Sequence, residues 1–152
     1  MRNDSISYFG IFDIRNAIFL ANLFDDELAT ILSYMEARRY AHGDLAVRVG
    51  DRDRSLYVVT TGQFEVLVPG GNGARRVLER GAIFGDLAFF DGKPRSADVR
   101  AVGLAEAYIM TLVAFERLRL AYPRLALTFA LDLGRLLSIR FREHDRRLAP
   151  GA

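Results

Sequence analysis

Between residues 37 and 110 short β-prone runs alternate with glycine and aspartate, and that rhythm limits the folds open to this chain. The runs are Leu45–Val49, Ser55–Val59, Gln63–Val68, Arg75–Leu78, Ala97–Ala101 and Ala107–Met110. Between them lie His42-Gly43-Asp44, Gly50-Asp51, Thr61-Gly62, Pro69-Gly70-Gly71-Asn72-Gly73, Gly81 and Gly103. Runs of β-branched and aromatic residues bounded by turn formers argue a sandwich or barrel of antiparallel strands. The stretch 69–73 reads as a hairpin tip.

Both flanks carry a helical period instead. Residues 8–24 are largely apolar around Asp13, Arg15 and Asn16, which gives one or two short helical pieces. Asp25-Asp26-Glu27 then places acids where a helix dipole favours them, and Leu28, Ile31, Leu32 and Met35 form one apolar stripe. Helical spacing returns at Val113. Pro123 suits a first helical position, and Leu127, Leu131, Leu137 and Phe141 line a broad apolar surface with Ala130, Leu133 and Leu136. Gly134 interrupts it, at about 1 kcal/mol relative to Ala, and would permit close approach or a bend.

The expected class is therefore α+β. It consists of an antiparallel β-roll or jelly-roll barrel of about eight strands, flanked by N-terminal helices and a long C-terminal helix. One domain would cover residues 1–152, with N-terminal helices over about 8–36, the roll over about 37–112 and C-terminal helices over about 113–147. A chain of 152 residues is long enough for one domain with a real core. No apolar run reaches the ~20 residues of a membrane span. Asp4 and Asp13 break any secretory signal layout, so the expected location is cytoplasmic. Zero cysteines exclude disulfides and thiolate metal sites.

The net charge of +2 gives no sign of a polyanionic partner. Twenty of the 21 cations are Arg, with Lys93 the exception, and Arg140, Arg142, Arg146 and Arg147 alternate with Glu143 and Asp145 as on a solvated helix face.

The chemistry concentrates in Phe84-Gly85-Asp86-Leu87-Ala88-Phe89-Phe90-Asp91-Gly92-Lys93-Pro94-Arg95-Ser96-Ala97. Gly85 allows an unusual φ or a close backbone approach. Asp86-Leu87-Ala88-Phe89-Phe90 can form one helical turn, whose first N–H groups point outward. Asp91-Gly92 and Pro94 turn the chain. Arg95 then brings a planar fork of donors suited to phosphate oxygens. Ser96 adds a hydroxyl, and Ala97 leaves room against the backbone. Plainer readings stand beside these. Asp86 would serve as an N-cap worth ~1 kcal/mol, and an Arg after a proline turn is commonly a solvated surface residue.

The segment resembles the phosphate-binding cassette of cyclic nucleotide-binding domains, in which Phe-Gly-Glu-Leu-Ala is followed by a short link and Arg-Ser/Ala-Ala. Phe84, Gly85, Leu87, Ala88, Arg95, Ser96 and Ala97 match. Asp86 stands one methylene shorter than the family's Glu. His42-Gly43-Asp44-Leu45, Gly50-Asp51, Leu56-Tyr57-Val58-Val59-Thr60-Thr61-Gly62 and Gly81-Ala82-Ile83 extend the likeness over about residues 23–145. The resemblance implies that Arg95 pairs with the exocyclic phosphate oxygens. Ser96 and the backbone N–H groups would complete the cradle, and Asp86 would hold the ribose 2′-hydroxyl. It also implies that the C-terminal helix closes over the base as a lid, with Ser138 and Arg140 supplying polar atoms.

No acid–base, nucleophile or metal constellation stands out. His42 and His144 lie far apart, and no Walker loop or Gly-x-Ser-x-Gly elbow occurs. The expectation is a non-enzymatic regulatory module without a cofactor. Its ligand would be a cyclic purine nucleotide, cAMP ahead of cGMP. Partners would be an unknown protein or a fused output domain, with no membrane and no DNA binding by this chain alone. The C-terminal helix offers a homodimer seam. The alternative is a structural or protein-interaction domain that keeps the fold with lost or altered ligand binding.

Overall fold

A computed structural model describes residues 20–70 and 76–148. Helix α1 (Asp25–Ser33) leads into strands β1 (Glu36–Tyr40), β2 (Leu45–Val47), β3 (Leu56–Leu67), β4 (Arg76–Leu78) and β5 (Ile83–Phe84). Helix α2 (Asp86–Asp91), strand β6 (Asp98–Met110), helix α3 (Leu112–Ala121) and helix α4 (Pro123–Leu148) follow. The helical pieces expected over residues 8–19, most of the 69–73 hairpin tip and the terminal residues 149–152 lie outside the described residues.

Two long strands carry the sheet. β3 and β6 pair antiparallel from Leu56 opposite Met110 to Leu67 opposite Asp98. β6 also pairs with β1 and β2, and β3 with β4 and β5, all antiparallel. The α+β class and the roll stand. Among the described residues the strands number six where the sequence pattern counted about eight. The difference lies at two glycines that look like turns. Thr61-Gly62 and Gly103 sit at a bulge, where the register shifts on both sides of Thr61 and both strands continue. Gly62 and Gly103 take φ of +73° and +70°, and Leu104 is thrown out to solvent. Such bulges bend and twist a sheet locally, so two long strands curve where four short ones were counted.

Alternation along these strands splits the core in two. Leu56 and Val58 of β3, with Tyr108 and Met110 of β6, face the helices. Tyr57 and Val59, with Ala107 and Ile109, face the interior of the roll. The helix side buries the expected stripe, Leu28, Ile31 and Leu32 of α1 with Met35 just beyond its end, together with Leu118 of α3 and Ala126, Phe129 and Leu133 of α4. α1 ends at Ser33, earlier than the residue-36 limit read from the sequence, and β1 begins at Glu36. Pro123 opens α4 as expected. Gly134 neither breaks that helix nor permits a close approach, because a Cβ there would meet nothing within 4 Å. No helix among the described residues is long and apolar enough to cross a membrane.

Candidate functional site

The segment 84–97 lines a cavity of about 300 Å³. Phe84, Gly85, Asp86, Leu87, Ala88, Arg95, Ser96 and Ala97 all line it, with Val47, Val66, Leu78 and Val99 as an apolar floor. The eight residues singled out in the sequence are thus brought together. Arg140 reaches the same cavity from α4. Ser138 does not. It lines an adjoining hollow with Arg76, Leu137, Phe141 and His144, and its hydroxyl donates back to the Gly134 carbonyl.

Gly85 is forced by both conformation and space. Its φ is +78°, and a Cβ would come within 2.6 Å of the Ser55 carbonyl oxygen and 2.9 Å of Arg95 Nη1. This left-handed residue starts α2. Gly92, also left-handed, ends it and donates its N–H to the Ala88 carbonyl, the usual glycine stop. Arg54 caps the same end, sharing the Ala88 carbonyl at 3.1 Å and donating to those of Phe89 and Phe90 at 2.8 and 3.0 Å.

Arg95 is not a solvated surface residue; it is only 6% exposed. The chain on either side is pinned by the preceding loop. The Arg95 N–H donates to the Asp51 carbonyl, and the Gly50 N–H donates to the Arg95 carbonyl, both at 2.8 Å. Its Nη1 donates to the Gly85 carbonyl at 2.9 Å, and its Nη2 to Asp53 Oδ2 at 2.9 Å and the Ser55 carbonyl at 2.7 Å. Its Nε is buried without a hydrogen-bond partner. Burial works against the Asp53 carboxylate, but hydrogen bonds from Arg95 and Ser55 outweigh it and hold the pKa below the ordinary value. Beneath the cassette, Tyr57 and Phe84 stack with ring centres 4.6 Å apart. Burial, reinforced by the Asp53 charge, pushes the Tyr57 phenol up to about 12.

Asp86 is not an N-cap. It occupies the first helical position after the Gly85 cap, and its side chain caps nothing. Its carboxylate, 8% exposed, accepts instead from Arg140 Nη1 at 3.2 Å. Arg140 Nη2 donates to the Ile83 carbonyl at 2.9 Å. Burial lowers the Arg140 pKa, and the Asp86 charge opposes that. An apolar route runs beside this polar one. Phe89 of α2 meets Phe115 of α3 and Phe129 of α4 edge-on, at centroid distances of 5.4 and 6.3 Å.

Sequence reasoning missed Asp53, Arg54 and Ser55. They fall in an irregular stretch before β3 and give no periodic signal, and their roles depend on groups more than thirty residues away. His42 has a structural role, its Nδ1 accepting from the Gly103 N–H at 2.8 Å.

A model of the cyclic nucleotide-binding domain matches residues 37–122, more than half of the chain. A cAMP-dependent protein kinase regulatory subunit from Blastocladiella emersonii is 35% identical over 102 residues, 65% of this chain and 25% of that protein. The catabolite activator protein of Thermus thermophilus superposes with a TM-score of 0.75 at 28% identity, covering 87% of this chain and 62% of that one. A cyclic nucleotide-binding domain from Methylobacillus flagellatus shares the fold with a TM-score of 0.81 at 24% identity, over 94% and 84% of the two chains. The chain belongs to the cyclic nucleotide-binding domain family. It spans a quarter or less of the length of the curated relatives it matches.

Proposed function

We propose that this domain senses a cyclic nucleotide, cAMP ahead of cGMP, and passes the event on through α4. One observation carries the reading. Arg95 is buried in the cavity wall, fixed by three acceptors, with its Nε–H left without a partner. A buried donor without an acceptor costs about 1–3 kcal/mol. A phosphate oxygen delivered to it would remove that cost and add a charge-assisted bond. Membership of the family supports a cyclic nucleotide as the source of that phosphate, and the regulatory subunit from Blastocladiella emersonii supports cAMP.

In this reading Gly85 keeps a side chain away from the phosphate, and Ser96 and the first amides of α2 add donors. Asp86 takes a sugar hydroxyl, and Ala97 leaves room. Arg140, with Ser138 beside it in the adjoining hollow, forms the lid. The reading places the protein in the cytoplasm and assigns it no catalytic step. The output runs to a protein partner or a fused domain. α4 exposes Leu127, Leu131 and Phe141, which suits that output or a homodimer seam.

A second reading, an interaction domain with lost or altered ligand, draws on Asp86, whose carboxylate already has a protein partner. Thermal unfolding with and without millimolar cAMP or cGMP separates the two. A ligand at 100 times its Kd adds about 2.7 kcal/mol, several degrees for a domain of this size. The expected shift disappears in Arg95→Ala. No shift with either nucleotide in a folded sample favours the interaction domain.

A further inference from the structure

Arg54 is not among the residues that line the cavity, yet its guanidinium spans the far end of α2. We propose that Arg54 is a positioning residue for the ligand: by capping α2 it gives the cassette its binding-ready shape before a ligand arrives, and so sets affinity without touching the ligand. The proposal rests on the cyclic-nucleotide reading above and deepens it.

The reason lies in how little α2 can do for itself. The helix has six residues, Asp86–Asp91. Helices that short do not persist alone in water, because the first turn fixes several residues for one hydrogen bond. The last four carbonyls of a helix also find no amide within it. Here the Gly92 N–H meets that of Ala88. Arg54 Nε shares the same oxygen, and Arg54 Nη2 donates to the next two, those of Phe89 and Phe90. One side chain, 34 to 36 residues earlier in the chain, thus meets three successive carbonyls.

That task needs a flat fork of donors. Arg presents five N–H groups in a fixed plane, whereas Lys is a compact charge on a flexible stem. The plane lies close to Gly92, where a Cβ would stand 3.4 Å from Arg54 Cζ. The helix so capped brings Asp86, Leu87 and Ala88 to the cavity wall. A ligand that had to order α2 on arrival would lose that ordering cost from its affinity. Arg54 removes the cost in advance. Its sequence neighbours Asp53 and Ser55 accept from Arg95, so helix and buried cation are set from the same stretch of backbone.

Arg54 is half-buried and belongs to neither core cluster, so its variants are expected to fold. Arg54→Met keeps the stem and loses both charge and donors. Arg54→Lys keeps the charge and loses the fork. Calorimetry with cAMP, and amide hydrogen exchange with and without saturating cAMP, compare both with the wild type and with Arg95→Ala. Both Arg54 variants are expected to bind about tenfold more weakly, the equivalent of ordering roughly one residue's backbone on binding. The Phe89 and Gly92 amides donate to the Gly85 and Ala88 carbonyls. Without nucleotide they are expected to exchange faster in both variants than in the wild type, and saturating cAMP is expected to slow them again, while the β3–β6 amides stay unchanged throughout.

A merely structural role would speed exchange in β3 and β6 as well and leave affinity unchanged, and would overturn the proposal. So would wild-type affinity in Arg54→Lys, which would make charge and not the cap the cause. Equal α2 exchange in all three proteins without nucleotide would overturn it too. Wild-type protein that binds no nucleotide overturns the sensor reading, and this proposal with it. Wild-type binding that Arg95→Ala abolishes and both Arg54 variants retain in full overturns this proposal alone.

Discussion

Gly85 and Arg95 are fitted to each other in two ways. The Gly85 carbonyl accepts from Arg95 Nη1 at 2.9 Å, and a Cβ on Gly85 would stand 2.9 Å from that same nitrogen. The glycine that opens the cassette helix is thus also the residue that seats the cation.

Gly85→Ala is therefore expected to damage stability and ligand binding together. The positive φ alone costs on the order of 1–3 kcal/mol in a non-glycine residue. The clash with the Ser55 carbonyl at 2.6 Å cannot be relieved by a side-chain rotation. Urea unfolding gives the first quantity and cAMP titration the second. A variant that unfolds like the wild type and binds normally would show that the cassette yields easily.

The ion pair between Asp53 and Arg95 gives stability an acid limb. The folded Asp53 pKa lies below its ordinary value. The contribution is present above the unfolded pKa of about 3.9 and is lost as pH falls through the lower folded value. The stability difference between wild type and Asp53→Asn is expected to be flat near neutrality and to shrink in acid. Asp53 is half exposed, so the difference will be small. A difference that grows on acidification would contradict the direction of the shift.

Phe89 is expected to matter for both stability and communication. It is nearly inaccessible and packs against Phe115 and Phe129. Truncating a buried Phe to Ala ordinarily costs about 3–5 kcal/mol. Phe89→Leu keeps most of the volume and loses the edge-on ring contacts. Hydrogen exchange should show faster exchange along α4 in Phe89→Leu while the β3–β6 amides stay protected. Uniform loosening of sheet and helix would mean that Phe89 serves the core as a whole and not α4 in particular.

The parts of this molecule readable from the sequence are those whose reason is local. Gly85 stands out because a left-handed turn demands that residue type, and Arg95 because its fork of donors follows a proline turn within the segment that resembles the cassette. The stripe of α1 follows from helical period. β1 was harder to see, since four of its five residues are exposed and no alternation marks it. The continuity of β3 and β6 was hidden, because Gly62 and Gly103 look the same in a bulge as in a turn. Asp86 illustrates the limit. Its type allowed an N-cap or a sugar ligand, and only the return of α4 brings Arg140 onto it.

Residues 53–55 have a consequence for motion. Asp53 and the Ser55 carbonyl grip Arg95, while Arg54 between them grips the far end of α2. Three consecutive residues just before β3 thus hold both arms of the cassette, like a hand holding a tuning fork at its stem. The cassette is therefore held as one piece from below, and α4 meets it at one greasy point, Phe89 on Phe129, and one charged point, Arg140 on Asp86.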